Sequence, residues 1–219
     1  MSLNIGRVIF PGEFQVILAD DNTVGCDEIS AAFLASAHVD PQLVSADWIR
    51  NHYRWIVWKM ACLEQRFPET LGRQCLTPAN LLEQLKYRYD REIDACQRSA
   101  LRRITEQDDT PAKTMVLCVA AVSSTSTGTV LELTDGWYAV SAHTDPALKY
   151  LVESGRIFVG LKLVISNAEL TAPGPSPPLE ITTDTYLKVR PRFNHDHLSH
   201  VERVSILKSY TITMLQFLK

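Results

Sequence analysis

Asp47-Trp48-Ile49-Arg50-Asn51-His52-Tyr53-Arg54-Trp55-Ile56-Val57-Trp58-Lys59-Met60-Ala61-Cys62-Leu63-Glu64-Gln65-Arg66-Phe67 decides the fold of the first half of this chain. Ile49, Tyr53, Ile56, Met60, Leu63 and Phe67 recur at alternating steps of four and three, which is the period of an α-helix. Trp48, His52, Trp55 and Cys62 form a second apolar stripe, and Trp58 widens it. A helix that is apolar over most of its circumference must be covered on more than one side. The stretch therefore predicts a central helix in a cluster, or a helix with one face kept for a partner. Pro68 ends it.

Before this helix, Cys26 to His38 reads as a shorter one, with Ile29, Phe33 and Ala37 at helical spacing. Arg7 to Ala19 is apolar but broken by Pro11-Gly12, which suggests a short hairpin or an irregular arm. After it, Thr77-Pro78 is an N-cap followed by proline at the first helical position. From Ala79 a single helix is expected to run to about Gln107. Leu82, Leu85, Tyr89, Cys96, Ala100 and Ile104 would line its inner face, and Lys86, Arg88, Arg91, Arg98, Arg102 and Arg103 its basic outer surface.

Beyond Asp108-Asp109-Thr110-Pro111 the pattern changes to strands. Lys113 to Val122 is β-rich, and Ser123 to Thr129 reads as a loop. Val130 to Leu133 and Trp137 to Ser141 read as a hairpin across Thr134-Asp135-Gly136. Asp145 to Glu153 is a short helix stopped by Gly155. Ile157 to Leu170, Thr185 to Val189 and His200 to Leu218 supply the later strands, and the proline-rich stretch 171–178 is an extended loop. About five strands with a small helix between the third and fourth fit an OB-type barrel. The fold class is therefore α+β in two domains. A helical cluster over 1–110 is followed by an OB-fold β-barrel over 111–219.

Charge narrows the function. The 22 Lys and Arg against 25 Asp and Glu leave a net −3, which argues against a strongly basic nucleic-acid binder. Five cysteines without a C-x-x-C pair argue against a disulfide scaffold or a zinc ribbon and for a reducing compartment. No apolar run approaches the ~20 residues a bilayer requires, and residues 1–7 do not read as a signal peptide.

The chemistry-bearing motifs point away from catalysis. There is no G-x-S-x-G, H-E-x-x-H or G-x-x-x-x-G-K. No enzyme and no cofactor are expected. Asp135 reads as a turn residue that bonds local backbone. His195, His197 and His200 are the only metal-like cluster, and they lack the fourth tight ligand of a zinc site, so they read as a solvated loop. Trp48, Trp55 and Trp58 read most simply as core. Trp137 and Tyr138, placed on opposite faces of one strand, would put one ring inside the barrel and one outside, where it could stack a base. Lys188, Arg190 and Arg192 are the nearest approach to a cationic stripe in 111–219.

Several ordered blocks then resemble one family. Asn51 to Lys59, Leu85 to Asp94, Arg98-Ser99-Ala100, Asp108-Asp109-Thr110, Ala112-Lys113-Thr114 and Glu132 to Val140 are similar to the DNA-binding region of the breast cancer type 2 susceptibility family. The likeness covers about residues 40–170 well, the final strands more weakly, and residues 1–39 only loosely. It implies a helical domain followed by the first OB-fold of that region, without the second and third OB-folds, the tower or the recombinase-binding repeats. It also implies a nuclear, non-catalytic scaffold of homologous-recombination repair and tumour suppression. That scaffold docks a very small, acidic, disordered protein, the proteasome-lid subunit named for deletion in split hand/split foot. The parent would load a RecA-type recombinase through parts not present here. On this reading Trp55, Trp58, Lys59, Tyr87, Arg88 and Arg91 would bind the acidic partner. Trp137, Tyr138, Lys188 and Arg190 would contribute to weak single-stranded-DNA contact. The competing reading is an autonomous single-stranded nucleic-acid-binding OB module.

Overall fold

Ser45 opens the long helix by accepting a hydrogen bond from the Trp48 amide at 3.1 Å. In the computed structural model, which describes residues 24–125 and 128–171 and the strand backbones at 7–9, 15–17 and 186–188, the chain divides into two units. The first contains residues 1–99 and 136–138, the second residues 100–135 and 139–219. The proline-rich loop, Arg190, Arg192, the three clustered histidines and the strand expected over His200–Leu218 lie outside the described residues.

In the first unit, strands β1 (Arg7–Ile9) and β2 (Gln15–Ile17) pair antiparallel, the first of the two alternatives that the sequence left open. Helix α1 spans Cys26–Leu34, α2 Ala46–Arg66, α3 Pro68–Leu71 and α4 Pro78–Tyr89. The alternating stripe of α2 is buried at Ile49, Ile56 and Met60, and the second stripe at Trp48, His52 and Trp55. Both faces are covered, as the sequence requires. The core packs Ile29 and Phe33 of α1, Ile49 and Ile56 of α2, and Leu82 and Leu85 of α4. The segment between α3 and α4 is tied to α2 by Glu64, whose Oε1 accepts from the amides of Cys75 (2.9 Å) and Leu76 (2.8 Å). Thr77 caps α4 through the Asn80 amide, with Pro78 in the first turn.

The single helix expected from Ala79 to about Gln107 is instead broken. After Tyr89 the hydrogen bonds widen into a π-helical turn, Asp90–Asp94. Cys96 adopts φ +53°, a left-handed conformation that an α-helix cannot contain. Helix α5 begins only at Ala100 and ends at Thr105, in the second unit. The basic residues of this stretch were expected on one outer surface, but Arg88 is 3% exposed. A helical period does not reveal the break, because apolar positions can resume in phase after a short interruption.

In the second unit, β3 (Met115–Thr125) pairs antiparallel with β4 (Gly128–Thr134) and with β6 (Lys162–Ile165). Strand β5 (Ala139–His143) pairs antiparallel with β4 and parallel with β8 (Tyr186–Lys188), and β8 pairs antiparallel with β7 (Glu169–Thr171). The order is β6-β3-β4-β5-β8-β7. Helix α6 (Pro146–Glu153) lies between the third and fourth strands of this unit, capped by Asp145 and followed by Gly155 at φ +70°. Leu117, Val119, Leu131, Leu133, Val140 and Ala142 alternate inward, giving the period-two burial of a one-sided sheet.

Two expectations are corrected here. The sheet is not closed into a barrel among the described residues. Its terminal strands, β6 and β7, are joined only through the short segment Ser166–Ala168 rather than by a hydrogen-bonded ladder. The hairpin connection is also longer than read, because β4 ends at Thr134 and β5 starts at Ala139. Trp137 and Tyr138 therefore lie in the turn and not on a strand.

Leu82 is fully buried and central to the helical core, so Leu82→Ala is expected to cost about 2–5 kcal/mol. Loss of the cap in Thr77→Ala should cost about 1 kcal/mol. Urea unfolding followed by helical circular dichroism measures both, and a cap cost equal to the core cost would contradict this packing.

Candidate functional site

Arg88 follows Leu85 by three positions and precedes Glu92 by four, so the three share one helical side. That side carries the guanidinium into the interior of the first unit. A buried guanidinium has five donors and no acceptor, and it requires oxygen or nitrogen lone pairs around it. Two are supplied. Nη1 donates to His52 Nδ1 at 2.9 Å, and Nη2 donates to the Gly136 carbonyl at 2.8 Å. Its plane lies over the Trp137 ring, 5.0 Å from the centroid.

His52 is fully buried and reaches this point from the inner face of α2. Because the guanidinium cannot accept, Nδ1 must, so the ring proton sits on Nε2. Nε2 faces Glu92 Oε2 at 3.1 Å and the Tyr138 hydroxyl at 3.2 Å. The Tyr138 hydroxyl in turn donates to Glu92 Oε1 at 2.6 Å. Each Glu92 oxygen thus has a donor, which is the role of an ionised carboxylate. The turn is gripped at a third point by Asn51, whose Nδ2 donates to the Trp137 carbonyl at 2.9 Å. Gly136 adopts φ +91°, which an L side chain rarely tolerates, and that conformation presents its carbonyl to Arg88.

The residues expected to bind a partner divide by burial. Trp55 is 1% exposed and stacks edgewise on Trp58 at 5.9 Å between centroids. Arg88 serves the interior. Trp58 and Lys59 are half-buried, and Tyr87 and Arg91 are exposed. Three of these are linked, and Trp58 precedes Lys59 on α2. Lys59 Nζ reaches Gln84 Oε1 at 3.4 Å, and Gln84 lies one turn before Tyr87 on α4. Arg91 Nη1 donates to the Tyr87 hydroxyl at 3.2 Å, with its guanidinium over the same ring. Tyr87 also meets Trp137 edge-on at 6.2 Å. The result is a strip of two aromatic and two cationic side chains across α2 and the C-terminal part of α4. Burial, and then the nearby Arg88 charge, lower the Lys59 ammonium from its ordinary range.

The residues expected to touch nucleic acid fare differently. Tyr138 is 3% exposed and committed to Glu92. Trp137 is half-buried, and the Arg88 guanidinium lies over its ring. Lys188 lies on the short strand β8, next to the last strand of the sheet, and Arg190 is outside the described residues. Asp135 does more than bond local backbone, since its Oδ2 accepts from the Leu101 amide, 34 residues away, at the start of α5. No group of three or more metal-ligating side chains is found among the described residues, and no described helix is long and apolar enough to cross a membrane.

Sequence reasoning missed His52, Glu92 and Asn51 as members of this site. A signal existed. His52 interrupts an otherwise apolar stripe, and a polar residue on such a stripe demands a buried partner.

Comparison with known proteins places these elements. Residues 8–96 match the BRCA2 helical domain, and residues 99–201 match the BRCA2 oligonucleotide/oligosaccharide-binding domain 1. The helical match begins at residue 8, earlier than the loose likeness over 1–39 suggested. The BREAST CANCER SUSCEPTIBILITY 2 homologs A and B of Arabidopsis thaliana are each 34% identical to this chain over 218 residues. The alignment covers 89% of this chain and 19% of each relative, so the chain spans about a fifth of their length.

Removing the guanidinium in Arg88→Met leaves His52 Nδ1 and the Gly136 carbonyl short of a partner, with an expected cost of about 3–5 kcal/mol in urea unfolding. Lys59 carries the opposite sign. Its folded-state value lies below the unfolded one, so the folded state holds its proton less tightly and stability rises with pH through the window below 10.5. Lys59→Met is expected to abolish that alkaline gain and to be more stable than the parent at neutral pH. Denaturation midpoints at several pH values read both.

Proposed function

The chain belongs to the BRCA2 family, and on that premise we propose that it is a non-catalytic docking scaffold of homologous-recombination DNA repair. Its helical unit seats a very small, acidic, disordered protein, the proteasome-lid subunit named for deletion in split hand/split foot. Its OB unit contributes to a larger assembly on single-stranded DNA, and the place of work is the nucleus. Loading of a RecA-type recombinase belongs to parts of the parent outside this chain.

The observation that carries the docking reading is the strip Trp58–Lys59–Tyr87–Arg91. A disordered acidic segment loses chain entropy when it binds, and it needs apolar surface to offset that loss and cations to fix its register. The strip offers both on helices held rigid by the core beneath them. The autonomous nucleic-acid reading is weaker. Tyr138 is spent on Glu92, Trp137 is covered by Arg88, and the chain has a net charge of −3. Phosphate binding needs counter-cations and falls steeply with salt.

Calorimetric titration of the chain with the acidic partner, and separately with an oligo-dT strand, at about 50 and about 200 mM salt tests the proposal. The expected result is partner binding with little DNA binding. Trp58→Ala and Arg91→Glu should each weaken partner binding at least about tenfold, the range of an interface anchor. Tight, salt-sensitive DNA binding without partner binding would overturn it and make the OB unit the functional site.

A further inference from the structure

The buried group His52, Arg88, Glu92 and Tyr138 has a property that neither partner docking nor DNA contact uses. Each of its four side chains is at least nine-tenths buried. The charged and titratable groups that face the imidazole are Arg88 from α4, Glu92 from the π-helical turn and Tyr138 from the turn before β5. Trp48 and Trp137 pack on it with rings that do not titrate, at 4.1 and 5.7 Å between centroids. With the ring neutral, one guanidinium and one carboxylate balance, and each of these contacts joins a donor to an acceptor.

We infer that His52 is a proton-sensitive latch: as the neutral Nε2–H tautomer it holds Arg88 on the Gly136–Tyr138 turn, and protonation at Nδ1 opens it. The reason is geometric. Nδ1 has one lone pair, and Arg88 Nη1 already occupies it at 2.9 Å. A proton placed there sets two N–H groups head to head and two cations side by side, so the guanidinium must leave. The arm that leaves Nδ1 belongs to the same planar fork that holds the Gly136 carbonyl at 2.8 Å and covers Trp137. Its departure therefore frees the turn carbonyl and uncovers the indole. Imidazolium and Glu92 then form an ion pair at Nε2, where the oxygen already lies at 3.1 Å, so the charged ring keeps one partner inside the unit.

The experiment is an NMR pH titration of the intact chain. Long-range nitrogen–proton correlation reads the tautomer and charge of His52. The indole N–H signal of Trp137 reads the turn, and the methyl signals of Leu82 and Leu85 read the core. The expected result is an Nε2–H ring at pH 7. As the pH falls, His52 protonation and the Trp137 shift should share one midpoint while the Leu82 and Leu85 signals stay. His52→Asn keeps an acceptor oxygen near the Nδ1 position but cannot titrate there. In this variant the Trp137 signal should hold its neutral-pH position throughout. An Nδ1–H tautomer at pH 7, a His52 titration that leaves Trp137 unmoved, or loss of the Leu82 signals at the His52 midpoint would each overturn the latch. If His52→Asn fails to fold, the shared or separate midpoints in the parent chain still decide.

Discussion

A guanidinium that is 3% exposed must be surrounded by acceptors, and the demands of Arg88 organise the most constrained part of this chain. Its two nitrogen arms diverge by a fixed angle, so the acceptors cannot be chosen independently. One is a ring nitrogen on α2, which fixes the tautomer of His52. The other is a backbone carbonyl of a glycine at φ +91°, which fixes the shape of the turn. Once the imidazole proton is on Nε2, an acceptor must stand beside it, and Glu92, four residues after Arg88, supplies one. Tyr138 then completes the second carboxylate oxygen. Each member is satisfied by another, and removing one leaves a buried polar group without its match.

The same arrangement sorts the aromatic and basic residues by use. Burying Arg88, Tyr138 and Trp55 removes them from direct contact with another molecule. Tyr87 and Arg91, four positions apart on the outer side of the same helical segment, remain on the surface. Lys59 joins them from α2 through Gln84, with Trp58 beside it in sequence. The exposed aromatic and cationic strip and the interior network are thus adjacent positions of the same two helices, facing opposite ways. This is the economy of an amphipathic helix whose inner stripe includes charge.

Much of this was legible in the residues themselves. The four-three spacing of α2, the Ser45 and Thr77 caps, Pro68 as a stop and the change of period after Pro111 are local effects, and local effects are written in local sequence. The blocks from Asn51 to Lys59 and from Glu132 to Val140 carried the family resemblance, and the comparisons bear it out. Two readings failed for a common reason. The helix from Ala79 was extended through a π-helical turn and a left-handed Cys96, and the hairpin strand was started at Trp137 instead of Ala139. In both places a polar contact distant in sequence overrides the local period.

By itself, then, the sequence determined the elements, the order of helical and β-rich halves, the apolar stripes that must be buried and the family. Short-range spacing and capping encode those features, and each acts over a few residues. Only the tertiary structure decided which arginine of a basic run turns inward and which histidine nitrogen carries the proton. It also decided that Trp137 and Tyr138 are turn residues and that Asp135 caps a helix 34 residues away. These depend on which groups meet across 34 to 86 residues of chain, as Leu101 meets Asp135 and His52 meets Tyr138. Periodicity records that a residue is buried but not which partner it finds there.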